Sequence, residues 1–405
     1  MEKPHFLVIG GGVIGINIAR FLKHRFRDCR VDLIEKESQI GVHASGRNSG
    51  VIHAGFYYSA DTLKARFTRS GNKQLTEYCK EKSISVNRCG KLVVARDPSD
   101  LPFIDELMLR AQRNNVPLKK ISVEEAREIE PRVKTCEWAL YSPTTATISP
   151  SQLMATLKED AQSEGVNFRF DCRYLSSSGV RSRKVVQTTS GTIQAGYVVN
   201  AAGLYADRIA QDFGFSESYR ILPFRGLYLY STEPVGSLRT HVYPVPNLGN
   251  PFLGVHFTIT MDGQVKIGPT AVPAFWREQY EGLKNFKPSE FSEIIWRNLR
   301  LMFSAEFDFR KLAFEEFSKM TRRNLVARAS ALLTDVHESQ YLKWGPSGIR
   351  AQLLNIKTGK LEMDFLIQGD DKSLHVLNAV SPGLTCSLPF SEYVVEMVSK
   401  NLRGE

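Results

Sequence analysis

Phe6-Leu7-Val8-Ile9-Gly10-Gly11-Gly12-Val13-Ile14-Gly15, followed by Val31-Asp32-Leu33-Ile34-Glu35, decides how this chain is read. Phe6 to Ile9 is a short apolar strand-like run. The glycines after it open a helix, whose apolar Ile14, Ile18, Phe21 and Leu22 recur at helical intervals. Val31 to Ile34 reads as a second strand, and Glu35 follows twenty residues past Gly15. Strand, glycine turn, helix, strand and acid in this order make the βαβ unit that binds a dinucleotide. Gly10 permits the tight turn, Gly12 lets a pyrophosphate approach the backbone, and Gly15 lets helix and strand pack closely. The free N–H groups of the first turn, Val13 and Ile14 among them, lie at the helix's positive end and suit a diphosphate. Glu35 is placed to accept hydrogen bonds from a ribose diol.

NAD and FAD both satisfy that fingerprint. The chain continues through Lys36 and Gly41 into Ser45-Gly46-Arg47-Asn48-Ser49-Gly50-Val51-Ile52-His53-Ala54-Gly55. Ser45, Asn48 and Ser49 suit a loop closing over a second phosphate. They equally suit an ordinary surface turn.

Working outward, 405 residues imply two domains, and 42% hydrophobic with 24% charged residues is an ordinary globular balance. No apolar run approaches the roughly 18 residues of a membrane span. Six scattered cysteines without a CxxC pair fit reduced thiols and argue against a disulfide framework or a metal centre. The net charge of +10 is dispersed and carries no recognition motif, so a nucleic-acid partner is not expected. An anionic substrate or an anionic membrane surface suits it better. With Met1 to Pro4 alone ahead of the first strand, no secretory or transit segment is expected there. A cytoplasmic location, either free or peripheral to the inner membrane, follows as an expectation.

Together these residues resemble the FAD-dependent D-amino-acid-oxidase-like superfamily. Tyr197 to Asp207 (YVVNAAGLYAD) resembles its strand–AAG–helix element, with Ala202 and Gly203 toward the cofactor. Tyr141-Ser142-Pro143, Ser149-Pro150 and Leu153 resemble its re-entry into the FAD domain. Leu377 to Thr385 (LNAVSPGLT) resembles the final strand–Gly–helix that meets the flavin. Within the superfamily, the likeness sharpens to L-2-hydroxyglutarate oxidases and dehydrogenases. It rests on Gly46 to Tyr58 (GRNSGVIHAGFYY), His241 to Pro246 (HVYPVP), Pro251 to Thr258 (PFLGVHFT), Gly268 to Val272 (GPTAV), Phe275 to Glu278 (FWRE), Gly345 to Leu353 (GPSGIRAQL) and Asp364 to Ile367 (DFLI). Two stretches depart from it. Leu227 follows Arg225-Gly226 where the family has an acid, and Asn378 to Ser387 (NAVSPGLTCS) differs from NAPSPAATSS.

The resemblance implies an α/β (α+β) fold, with a Rossmann-like FAD-binding domain interleaved with an antiparallel-sheet substrate domain. The FAD-binding domain is expected at 1–89, 146–214 and 350–405, and the substrate domain at 90–145 and 215–349. Residues 287–337 read as helical. Phe303, Phe307, Phe314 and Phe317, interleaved with basic residues, read there as core packing, or else as a partner or membrane surface.

The implied activity is oxidation of L-2-hydroxyglutarate to 2-oxoglutarate by hydride transfer to flavin N5. Another 2-hydroxy acid or an amino acid is a second substrate class. A flavin-binding sensor or scaffold without turnover is a third reading. A helix starting near Gly383, Leu384 and Thr385 would stabilise the reduced flavin's negative charge. Arg350 is a candidate clamp for one carboxylate of a dicarboxylate substrate, or a structural ion pair. Arg225 is a candidate for the other carboxylate, and Tyr243 for a hydroxyl donor or a packing residue. His53 and His256 are the candidate bases, since a neutral imidazole suits that work near pH 7. Lys266 resembles the lysine above the flavin in sarcosine-oxidase-type enzymes, which assists oxygen reduction; otherwise it is a solvated strand lysine. Oxygen, a quinone and an electron-transfer protein all stay open as acceptor.

Overall fold

The computed structural model describes residues 4–180, 183–246, 253–303 and 309–404. Pro251 and Phe252 of the quoted PFLGVHFT block, and Phe307 of the aromatic series, lie outside them. The chain divides into two compact units, residues 1–48, 150–223 and 350–405, and residues 49–149 and 224–349.

The first unit is built on a six-stranded sheet in the order Leu366–Gly369, Ser373–Asn378, Tyr197–Asn200, His5–Ile9, Arg30–Ile34, Asn167–Arg169. All neighbours are parallel except the first pair. Parallel strands covered on both faces read as continuous apolar runs, and Phe6 to Ile9 and Val31 to Ile34 are accordingly buried throughout. Alternate residues Leu7 and Ile9 pack with Val186, Ile193, Ala195 and Phe213, which belong largely to an antiparallel meander of Tyr174–Val180, Arg183–Thr188 and Gly191–Ala195. Helix Val13–Arg25 packs against Ser387–Arg403 and Pro150–Ser163. It is therefore buried on more than one side, even at Asn17 and Arg20. Arg20 satisfies its guanidinium by pairing with Glu164 at 2.7 Å and Asp160 at 3.3 Å.

The second unit carries an eight-stranded sheet in the order Lys343–Trp344, Leu229–Tyr230, Val265–Gly268, His256–Ile259, His241–Pro244, Lys91–Val94, Trp138–Ser142, Lys119–Ser122. The expected antiparallel pairing is interrupted once, where His241–Pro244 runs parallel to Lys91–Val94. One face is a dry core. Leu92, Val94, Val242, Phe257, Ile259, Val265 and Ile267 pack with Leu325, Val326 and Ala329 of helix Arg322–Ala329.

The division differs from the sequence reading at three places, residues 49–89, 146–149 and 215–223. Residues 49–89 pack with the second unit, because Val51–Ile52 pairs with Ala146–Thr147 and Asn72, on helix Leu63–Glu81, donates to the carbonyls of His53 and Thr144. Residues 215–223 pack with the first, where Ile221 joins Ala206, Ala210, Leu353 and Leu377. The helical region 287–337 resolves into Pro288–Phe303, Phe309–Ser318 and Arg322–Ala329. Its aromatic series is not core in this chain: Phe303 is 77% exposed, Phe314 71% and Phe317 40%.

Candidate active site

In the first unit the glycine turn is held by close backbone approach. Gly10 has φ +111°, and a Cβ on it would meet the Ala201 carbonyl oxygen at 2.6 Å. On Gly15 a Cβ would fall 2.0 Å from the Gly10 carbonyl oxygen. Neither position has room for a side chain, so the helix begins hard against the strand end. Gly12 is the helix N-cap and makes no side-chain cap bond, and the first turn holds no acid. Ser45 fills part of that role by accepting from the Val13 N–H at 2.9 Å. Glu35 is buried, with Oε2 accepting from Gly11 N–H at 2.7 Å and Oε1 from Glu37 N–H at 3.0 Å. Each carboxylate oxygen keeps a further lone pair, so the acid is fixed and still able to accept from a diol.

The other predicted cofactor residues divide. Lys36 pairs with Glu37. Asn48 donates its amide to the carbonyls of Ala44 and Ser45, at 3.1 and 2.7 Å, and so closes its own turn. Ser49 falls in the second unit. Ala202 N–H is held by Asn200 Oδ1 at 3.2 Å, and Gly203 takes φ +53°. Gly383, Leu384 and Thr385 form a turn, not a helix start. The helix runs from Ser387, with Phe390 N–H bonding the Cys386 carbonyl, and is preceded by a turn in which Cys386 N–H bonds the Pro382 carbonyl and Ser387 N–H that of Leu384.

In the second unit, strand alternation sorts residues to two faces. With Val242, Phe257 and Ile267 committed to the core face, the opposite face receives Lys91, His241, Tyr243, His256, Thr258 and Lys266. All six are buried. A sheet face so polar and so buried is costly, which makes it the candidate site.

His256 donates Nδ1–H to the Gly254 carbonyl at 2.9 Å, since a carbonyl can only accept. In its neutral form the ring would then carry its lone pair on Nε2, the state a base needs. Tyr243 lies flat on this ring, with centroids 3.7 Å apart. His241 is the reverse tautomer. Its Nδ1 accepts from Ile259 N–H at 3.0 Å, so Nε2–H faces Thr147 Oγ1 at 2.9 Å and Cys89 Sγ at 3.3 Å. Burial, reinforced by the charge of Lys91, holds this imidazole well below its usual range, and it stays neutral.

Lys266 is 4% exposed, which overturns the solvated-lysine alternative. Its ammonium lies over the rings of Tyr228 and Tyr230, 4.7 and 5.6 Å from their centroids, and burial pushes it down to about 8. Arg225 is lowered by the same desolvation. Among the described residues, no carboxylate lies within ion-pair distance of either group. His53 follows strand Val51–Ile52 and is half-buried. Arg350 belongs to the first unit, on strand Gly348–Asn355.

Sequence reasoning named His256, Lys266 and Tyr243 and missed Lys91 and His241. The missed signal was alternation: Lys91 opens the run KLVV and His241 the run HVYP, each in phase with the polar face.

The sequence profile of the FAD dependent oxidoreductase family matches residues 5–397. Among curated relatives, the human "L-2-hydroxyglutarate dehydrogenase, mitochondrial" is 35% identical over 97% of this chain and 88% of its own length. L-2-hydroxyglutarate dehydrogenase of Indibacter alkaliphilus is 33% identical over 97% of this chain and 98% of its own. Among solved structures, L-alpha-glycerophosphate oxidase from Mycoplasma pneumoniae with FAD bound is 22% identical with a TM-score of 0.76, covering 98% of this chain and 95% of that one. That likeness shows a shared fold. The glycine turn, the bare helix start and Glu35 fit FAD, and the chain belongs to the FAD dependent oxidoreductase family, among relatives named L-2-hydroxyglutarate dehydrogenase.

Proposed function

We propose that this protein oxidises L-2-hydroxyglutarate to 2-oxoglutarate. The supporting observation in the structure is Arg225, half-buried and with no carboxylate within ion-pair distance among the described residues. A carboxylate of the substrate supplies the missing countercharge. In this reading Gly12 and the Ile14 amide hold the diphosphate of FAD, with Gly10 and Gly15 letting it approach and the Val13 N–H taken by Ser45, and Glu35 holds a ribose. FAD, when bound there, would supply the two-electron acceptor that the oxidation needs. His256 Nε2 takes the hydroxyl proton, and its Nδ1–H to Gly254 keeps the ring oriented as the charge develops. Arg225 and Arg350 orient carboxylates, and His53 is the alternative base. The test is product identification: incubation with L-2-hydroxyglutarate and an artificial electron acceptor should yield 2-oxoglutarate. Equal turnover of unrelated 2-hydroxy acids or amino acids would favour the second substrate class, to which Leu227 points.

The acceptor is oxygen in the reading that gives buried Lys266 the oxygen-assisting role. A quinone at a membrane surface is the second reading, favoured by helix Pro288–Phe303. That helix exposes Trp296, Leu299 and Phe303 at i, i+3 and i+7, with Arg300 beside them. No helix among the described residues is long and apolar enough to cross a membrane, so the contact proposed is peripheral. Cosedimentation with anionic but not neutral vesicles, lost in Trp296→Ser/Phe303→Ser, is its check.

A further inference from the structure

Lys91 is fully buried, and among the described residues its Nζ has no hydrogen-bond partner. Its surroundings are three ring faces, with centroids 4.5 Å away at Tyr243, 4.9 Å at Tyr57 and 5.3 Å at Phe56. The titratable groups that bear on it are Cys89, two residues away on its own segment, His241 on the neighbouring strand, and Tyr57 and Tyr243. None is an anion: the Cys89 thiol is raised to about 11, both phenols are raised by burial, and His241 is neutral. A methionine would fill this space without a desolvation cost. The compensation the structure does offer the charge is cation–π contact, strongest where the rings are dry. Of the three rings, Tyr243 is the nearest, and its ring is stacked on His256, with planes 15° apart.

We infer that Lys91 is a positioning residue for this reaction: its ammonium draws the Tyr243 ring into place and thereby holds the His256 imidazole flat, with Nε2 set for proton transfer. The inference rests on the reading of His256 as the base. Lys91 takes no proton from the substrate and acts through the two stacked rings. The Phe56–Tyr57 pair, with centroids 4.3 Å apart, presents the other ring faces around the ammonium.

The experiment is run at pH 6, below the lowered Lys91 value of about 7, so that the side chain carries its charge. It uses the FAD-loaded enzyme and the variants Lys91→Met and His256→Asn, with Lys91→Leu as a second charge-removing variant should Met not fold. Two quantities are read: the limiting rate of flavin reduction by L-2-hydroxyglutarate, and the NMR ring-proton signal of His256. The signal is identified among the eight histidines by its loss in His256→Asn. Stacking under Tyr243 shifts it upfield in the parent. In Lys91→Met we expect full FAD content, a downfield move of that signal, and a limiting rate lower by roughly ten- to thirtyfold with little change in substrate affinity. An unmoved signal, or an unchanged rate, overturns the inference. If the rate is unchanged and His256→Asn also turns over normally, the base reading has failed as well. If His256→Asn is slow, the failure belongs to Lys91 alone.

Discussion

Tyr243 and His256 face each other across neighbouring strands with their rings 3.7 Å apart and 15° from parallel. Val242 and Phe257 pair between them and point to the opposite, dry face of the sheet. The stack therefore follows from period-two alternation: the same register that buries Phe257 brings Tyr243 and His256 together.

His256→Asn should retain the Nδ1-type donor to Gly254 and remove the Nε2 lone pair. Flavin reduction then falls by about 10²- to 10⁴-fold, the range for a lost general base, while FAD content is unchanged. His53→Asn, prepared in parallel, should lose far less. Stopped-flow absorbance separates the two, and a reversal of their order would move the base to His53.

Lys91 costs stability in a definite pH window. Burial lowers its folded pKa from 10.5 to about 7, so between those values the unfolded chain binds more protons and stability rises with pH. Below about 7 the whole penalty is present. Lys91→Met escapes it and should melt several degrees higher at pH 6, with the advantage shrinking as pH rises toward about 10.5. Calorimetry across that range is the check.

Lys266→Met should slow reoxidation of the reduced enzyme by oxygen without slowing reduction by substrate. Burial puts the ammonium near 8, and the charged form is the one below that value. In the parent the reoxidation rate should therefore fall as pH rises through about 8, and in the variant the profile should be flat. A parent that reoxidises slowly at every pH would assign the electrons to a quinone or a protein.

Glu35→Ala should weaken FAD binding by roughly tenfold or more, because hydrogen bonds to a charged acceptor contribute about 1.5–3 kcal/mol. The bonds from Gly11 and Glu37 N–H are lost too, so the turn loosens as well. Equilibrium dialysis of the apoprotein with FAD measures it.

The dinucleotide unit was legible because each of its parts is local: a buried strand, three glycines, a helix and an acid within about thirty residues. The polar sheet face was half legible. Lys266 stood out as a polar residue within an apolar strand and His256 through its sequence block, whereas Lys91 and His241, which like His256 open their strands, read as ordinary polar residues at a strand start. Their burial is set by which strands neighbour them, and the parallel pairing of His241–Pro244 with Lys91–Val94 joins segments some 150 residues apart in sequence. Periodicity alone also misassigned the Phe303 series, since a helical aromatic stripe has the same spacing whether a neighbour covers it or solvent does. The turn at Gly383 to Cys386 delayed its helix for a similar reason: the Pro382 carbonyl that holds it is visible in three dimensions only.

The central claim is that L-2-hydroxyglutarate delivers its electrons to FAD bound by this chain. Anaerobic titration of the purified holoenzyme, followed in the visible flavin spectrum, tests it directly. Bleaching of the oxidised band by one equivalent of the L enantiomer, with the D enantiomer inert, is the expected result. A flavin that stays oxidised with both would contradict the account.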